Sequence, residues 1–213
     1  MGAFYRDYGK RALDLALGVC SMPFVAVSFL VAAPLIKLDD GGPIFYTAPR
    51  RGYKGKEFRM YKYRSMKVNS PVIKAADGST LSSDDDPRLT RAGKILRKTS
   101  LDEFPQFINV LKGDMSIIGP RPNLTTTPYE DLDAIGKKRL EVRPGITGYN
   151  QAYYRNSVSM QEKFEHDCFY VDHVSLPFDI RIFLKTMQTV VLSRGVTNKD
   201  YTLASSDDKW IDK

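Results

Sequence analysis

The 213-residue sequence predicts an α/β fold, rich in helix and with only short strands, preceded by an N-terminal membrane helix. Three observations carry that prediction. A run of 22 residues from Leu15 to Ile36 has no charge, short alternating segments follow it, and apolar residues at helical spacing return in the last third of the chain.

The uncharged run, "LALGVCSMPFVAVSFLVAAPLI", makes a helix of about 33 Å, long enough to cross the hydrocarbon core of a bilayer. Its length, and the Lys37, Asp39 and Asp40 that follow in place of a small-residue cleavage pattern, mark a permanent anchor rather than a signal peptide. Both flanks are basic, with Arg6, Lys10 and Arg11 before it and Lys37, Arg50, Arg51, Lys54 and Lys56 after it, so charge gives no orientation. Pro23 removes a backbone donor inside the run. Two arrangements follow: a spanning helix that tolerates the proline, or a hairpin bent at Pro23 that enters and leaves on one face. Residues 1–38 form this unit.

Residues 39–197 are expected to form one domain. Gly41 to Met66 opens with turn residues and continues in alternating stretches such as "EFRMYKYRSM", the pattern of short strands or a hairpin. Eight bases lie between Arg50 and Lys67 against the single acid Glu57, interleaved with Tyr53, Phe58, Tyr61 and Tyr63. Beside a membrane anchor, that mixture suits the lipid interface. Asn69 to Asp86 reads as a surface loop. Helical spacing resumes over Leu89–Leu96 and "QFINVL", Asp131–Glu141 suits an exposed helix, and "RPGITG" a rigid turn. "MQEKFEHDCFYVDH" and "LPFDIRIFLKTMQTVVL" are amphipathic; in the second, Ile180, Phe183, Leu184, Met187 and Val191 share a face and Gly195 supplies a stop. Residues 198–213 are a polar tail.

A net charge of +7 and a pI near 9.3 call for an anionic partner: nucleic acid, an acidic bilayer or phosphorylated small molecules. Cys20 and Cys168 form neither a CxxC pair nor a ligand cluster, which argues against a disulfide framework or a zinc site and for a reducing, cytoplasm-facing compartment. The sequence has no GxxxxGK[ST] and no GxGxxG, so any nucleotide must be held by arginines.

The stretch "TSLDEFPQFINVLKGDMSIIGPRP" concentrates the candidate chemistry. Asp102 and Glu103 are adjacent, and on a helix adjacent side chains diverge by about 100°, so the two cannot serve one atom in the same way. They can divide labour between attack or metal binding and proton handling. Ser100 to Glu103 also fits a capping box, in which the acids merely satisfy a helix start. Arg121 is fixed between Pro120 and Pro122, which preorganises its fork for phosphate. Arg97, Arg143 and Arg155 are further candidate phosphate ligands. His166 and His173 lack a third neutral ligand and read as helix-face residues.

Taken together, "KR" with Asp14, "YKYRSM", "DDPRLTRAGKILRKTSLDEFPQFINVLKGDMSIIGPRP", "RPGITG" and "RN…KFEHD" resemble the small monotopic phosphoglycosyl transferases of the bacterial sugar transferase family, over about Lys10 to Val196. The resemblance implies transfer of a phosphosugar from a UDP-sugar to polyprenyl (undecaprenyl) phosphate, with release of UMP, at the cytoplasmic face of the bacterial inner membrane. It implies Mg2+ as cofactor, held by Asp102 and Glu103, with Asp102 as covalent nucleophile and Glu103 as its partner. Arg97 and Arg121, with Lys62, Arg155 and Asp167, become anion- and substrate-binding residues. The implied fold has a re-entrant N-terminal helix and interfacial amphipathic helices; here Met22 separates Ser21 from the bend proline, where many members place the serine directly before it. Membrane lipid is then the expected surface, and nucleic acid is not. A basic module docking on anionic lipid or nucleic acid would also explain charge and anchor, but it leaves Asp102, Glu103 and Arg121 without a role.

Overall fold

In the computed structural model, which describes residues 4–71, 86–154 and 157–191, the apolar run lies within one long helix, α1, over Lys10–Asp40. A π-helical turn at Tyr5–Gly9 leads into it. Lys10, Asp14, Gly18, Val25, Ser28, Ala32 and Ile36 are its buried residues, spaced so that they form one stripe along the whole helix. Val19, Phe24, Val27 and Leu30 are exposed. By length and composition the segment could cross a membrane. The helix continues without interruption through Pro23 and Pro34.

Polar side chains tie the buried stripe to the domain from end to end. Lys10 Nζ lies 2.6 Å from Asp179 Oδ2, and Asp14 Oδ1 accepts from Ser116 Oγ at 3.0 Å and from the Ile117 amide at 2.9 Å. Midway, Ser28 Oγ and Tyr63 Oη are 2.9 Å apart. At the far end Asp39 Oδ2 accepts from the Ala92 amide at 2.9 Å, and Asp40 pairs with the Arg64 guanidinium.

The expected hairpin is present: β1 (Phe45–Arg51) pairs antiparallel with β2 (Glu57–Tyr63), in a register running from Phe45↔Tyr63 to Arg51↔Glu57. Its turn uses left-handed backbone at Lys54 and Gly55. Helix α2 (Arg91–Lys98) starts at Thr90, whose Oγ1 accepts from the Gly93 amide at 2.9 Å. A Cβ on Gly93 would lie 1.9 Å from the Ser65 carbonyl oxygen, so only glycine lets α2 sit directly on the chain leaving β2. A 3-10 turn (Leu101–Glu103) and α3 (Gln106–Lys112) follow.

The turn expected at "RPGITG" is instead a strand. β3 (Ser116–Ile118) and β4 (Gly145–Thr147) pair in parallel, Ser116↔Gly145 and Ile118↔Thr147. Gly145 allows this, because a Cβ there would lie 2.1 Å from the Gly119 nitrogen. The helix expected over Asp131–Glu141 shortens to α4 (Ala134–Lys138), capped by Asp133, and then tightens into a 3-10 turn whose Arg139 and Leu140 are buried rather than exposed. Helices α5 (Tyr149–Tyr153), α6 (Met160–Asp172) and α7 (Leu176–Val191) complete the fold. Gly195, the polar tail and most of the loop after Pro71 lie outside the described residues.

One core gathers Met60, Val110, Met115, Tyr149, Val171 and Ile182; a second joins Ala32 and Ile36 of α1 to Tyr63, Ala92 and Leu96. Helix α7 turns Ile182 inward, while Leu176, Ile180, Phe183, Leu184 and Met187 remain exposed. Of the apolar face read from the sequence, Ile180, Phe183, Leu184 and Met187 therefore point away from the core, and the Val191 side chain lies outside what is described.

Candidate active site

The acid pair stands where α2 turns back toward α3. Ser100 takes a left-handed conformation at φ 56°, and its side chain caps nothing, so the capping box does not form there. The box that does form is Ser159–Glu162 at the start of α6. Pro105 stands at the N-cap of α3 and separates the 3-10 turn carrying Asp102 and Glu103 from the helix proper.

Glu103 reaches across to β2, where Lys62 Nζ donates to its Oε1 at 2.6 Å, and an Arg121 NH1 atom lies 3.9 Å from the same oxygen. Asn109, fully buried in α3, fixes that spacing by accepting from the Tyr61 amide at 3.0 Å and donating to the Arg59 carbonyl at 2.8 Å. Asp102 is 7% exposed and, among the described residues, has neither a hydrogen bond nor an ion pair. Arg97, whose Nε donates to Ser65 Oγ at 3.1 Å, contributes charge to it from α2. The buried Gln106 Nε2 meets no partner in full hydrogen-bonding geometry, yet it lies close enough to Glu103 to favour that carboxylate's charge.

These surroundings drive the two carboxyls apart. Burial, and then the charge of Glu103, push Asp102 up to about 6, against the opposing pull of Lys62, Arg97 and Arg121. Burial also works to raise Glu103, but Lys62 and Arg121 outweigh it and leave Glu103 below the usual carboxylate range. At neutral pH the result is a committed anion at Glu103 and a desolvated, unpartnered carboxylate at Asp102. The second is the better nucleophile.

The remaining predicted residues sort by position. Lys62, Arg97 and Arg121 converge on the acid pair. Arg143 does not: its Nε donates to the Gly113 carbonyl at 3.0 Å, at the C-terminal end of α3, where a cation complements the helix dipole. Asp167 is buried against Arg139, with Nε 2.9 Å from its Oδ2; among the described residues its hydrogen bonds go to that partner, and the Arg121 charge reaches it without a bond. Arg155 lies outside the described residues. His166 stacks on Tyr154 at 4.0 Å and His173 on Phe169 at 4.1 Å, two separate aromatic contacts. The sequence reading missed Arg139, because nothing in "KKRLEVRPG" distinguishes the one buried base from its solvated neighbours.

Asp102 and Glu103 offer two hard oxygen donors beside a cationic rim. That suits Mg2+, which takes one or two carboxylates and fills its remaining positions with phosphate oxygens and water. The unneutralised Asp102 is the charge such an ion would meet.

Residues 5–193 match the family described as bacterial sugar transferase. The chain is 39% identical over 191 residues to the UDP-N-acetylgalactosamine-undecaprenyl-phosphate N-acetylgalactosaminephosphotransferase of Aeromonas hydrophila, covering 87% of this chain and 44% of that one. Against the UDP-glucose:undecaprenyl-phosphate glucose-1-phosphate transferase of Escherichia coli the identity is 38% over 199 residues, covering 89% and 40%. An uncharacterised sugar transferase of Bacillus subtilis matches at 38% over 197 residues, 92% of this chain and 93% of its own. This chain thus spans less than half of the first two relatives and nearly all of the third.

Proposed function

The chain belongs to the bacterial sugar transferase family, and from that premise we propose that it moves a phosphosugar from a UDP-sugar to polyprenyl phosphate, giving polyprenyl-diphosphate-sugar and UMP. The reaction would begin the assembly of a bacterial glycoconjugate on its lipid carrier. The observation that carries this reading is Asp102, a buried carboxylate without a hydrogen-bond partner among the described residues, next to a Glu103 already engaged by Lys62.

In the proposed chemistry an Asp102 oxygen attacks the phosphorus that bears the sugar. The bond from that phosphorus to the bridging oxygen breaks, and UMP leaves with the electron pair. An oxygen of the polyprenyl phosphate then attacks the same phosphorus and releases the Asp102 carboxylate. Splitting the transfer avoids bringing two phosphate anions together directly. Lys62 keeps Glu103 ionised and oriented, while Arg97 and Arg121 take up phosphate charge. Mg2+ held by Asp102 and Glu103 would supply charge neutralisation at the diphosphate.

A monotopic placement on the cytoplasmic face goes with this activity, since one substrate is soluble and the other is a lipid. Its support is the pinning of α1: Lys10 at one end and Asp40 at the other bind the same domain. A spanning helix would carry one of those charged ends to the opposite side. The exposed apolar faces of α1 and α7 would then rest in the interface. Cysteines introduced at Tyr8 and Leu38, in a Cys20→Ser background, should both resist a membrane-impermeant reagent in intact cells; labelling of either from outside contradicts the arrangement.

The activity is tested by incubating the full chain in lipid nanodiscs with Mg2+, a panel of UDP-sugars and undecaprenyl phosphate, and following UMP. Sustained release that needs the lipid acceptor supports the transferase. Sustained release without acceptor marks hydrolysis instead.

A further inference from the structure

The loop that carries Arg121, Gly119–Asn123, is held by hydrogen bonds at four of its five residues. Backbone groups supply three of these ties: Gly119 N donates to the Thr147 carbonyl at 2.9 Å, Gly145 N to the Pro120 carbonyl at 2.9 Å, and Arg51 N to the Asn123 carbonyl at 3.0 Å. The fourth comes from a side chain distant in sequence. Arg139 donates from an NH2 atom to the Arg121 carbonyl at 3.2 Å and from NH1 to Asn123 Oδ1 at 2.7 Å. It therefore grips the chain on both sides of Pro122.

Arg139 is itself fixed. Its Nε lies 2.9 Å from Asp167 Oδ2, its NH2 donates to the same oxygen, and its guanidinium carbon sits 4.0 Å from the centre of the Phe164 ring. Both members of the pair are buried. Desolvation makes a buried ion pair a poor source of net stability compared with apolar residues of similar volume, so stability alone does not account for it. An apolar pair could fill the space, but it could not present a fork of donors to a carbonyl and an amide on either side of a proline. The Arg121 side chain is the opposite case: 61% exposed, with its nearest carboxylate contact at 3.9 Å. Its backbone is clamped, while its guanidinium is mostly exposed and makes only a long ion contact with Glu103.

We propose that Arg139 and Asp167 are positioning residues that set Arg121 for the diphosphate of the nucleotide donor, rather than ligands of that donor. The inference rests on the assignment of Arg121 to donor binding made above. It moves Asp167 from the phosphate-binding set to the support behind it. A loosened loop would have to be ordered again each time the nucleotide binds, and that cost should appear in affinity.

UDP serves as the probe, titrated calorimetrically in Mg2+ into the full chain in nanodiscs, with hydrogen exchange followed over residues 119–124. Asp167→Asn keeps the shape but weakens the hold on Arg139; it should weaken UDP binding by about three- to tenfold and speed exchange in the loop. Asn123→Ala removes one bond without stranding a charge, and gives a smaller change in the same direction should Asp167→Asn fail to fold. The deciding comparison is the double variant. Because the pair acts through Arg121, Asp167→Asn placed on Arg121→Ala should cost less than about twofold more. If Arg121→Ala weakens UDP binding but neither Asp167→Asn nor Asn123→Ala does, or if the single effects multiply in the double variant, the positioning role is wrong while the donor assignment stands. If Arg121→Ala itself binds UDP like the parent, the donor assignment fails and the inference fails with it.

Discussion

Asp179 and Asp102 are both buried carboxylates under the charge of at least one base, yet their surroundings differ in one respect that separates architecture from the proposed chemistry. Around Asp179 both oxygens are engaged: Tyr5 Oη and Lys10 Nζ each approach Oδ2 at 2.6 Å, and Tyr170 Oη donates to Oδ1 at 2.8 Å. Around Asp102 the bases Lys62, Arg97 and Arg121 contribute charge but, among the described residues, no hydrogen bond, and Lys62 bonds Glu103 instead. A satisfied buried charge locks elements together, here the start of α1 to α7. An unsatisfied one stores reactivity, because a ligand can supply the interaction that the fold withholds.

The largest effect should come from breaking the unsatisfied cluster chemically. Asp102→Asn is expected to lower turnover by about a thousandfold or more, since the amide is a poor nucleophile and a poor cation ligand. Its thermal midpoint should stay level or rise, because the change removes a buried charge. Removing a partner from the satisfied cluster should do the reverse. Lys10→Met leaves Asp179 without its cation and should cost on the order of 3 kcal/mol in denaturant unfolding, while turnover per folded molecule stays within about twofold. A turnover loss in Lys10→Met matching that of Asp102→Asn would erase the contrast.

Arg121→Ala should reduce kcat/KM for the UDP-sugar by about tenfold to a hundredfold, in line with the loss of a charge-assisted phosphate contact. Lysine should restore part of it, as it keeps the charge but loses the fork. A parent-like value in the alanine variant would assign Arg121 to structure alone.

The smallest effect is on pH. In the metal-free protein Asp102 should titrate near 6, raised first by burial and then by Glu103, and carbon-13 labelling of the aspartates can follow it. A carboxyl whose folded pKa is raised holds its proton longer in the native state than in the unfolded chain. Its contribution to stability is therefore full below about pH 4 and is lost as pH rises toward 6, and Asp102→Asn should remove that slope. Mg2+ and the proton compete for the same oxygens, so Mg2+ affinity should fall as pH drops through this range.

The sequence carried the adjacent acid pair, the hairpin and the apolar run plainly, because each is a local pattern in charge or hydrophobicity. It misled where a contact is long-range. Arg143 and Arg139 look alike in "KKRLEVRPG", yet one caps the end of α3 and the other is buried under the Arg121 loop. The strand in "RPGITG" was hidden because glycine signals a turn in sequence, while here it marks the close approach of Gly145 to Gly119. The apparent capping box at Ser100 failed because Lys62, from β2, claims the glutamate that the box required. In α7 the apolar spacing was correct but its direction was not readable: Ile182 faces the core, and the stripe from Leu176 to Met187 faces outward.

The account turns most directly on where the phosphosugar goes when no lipid acceptor is present. The 213-residue chain mixed with Mg2+ and a UDP-sugar that it uses should release at most about one UMP per active site, and should gain the mass of one phosphosugar on the peptide containing Asp102. Fragmentation should place that mass on Asp102, Glu103→Gln should slow its appearance without moving it, and Asp102→Asn should abolish it. An adduct on Glu103, or a requirement for both substrates before any UMP is released, would contradict the assignment of Asp102 as the nucleophile.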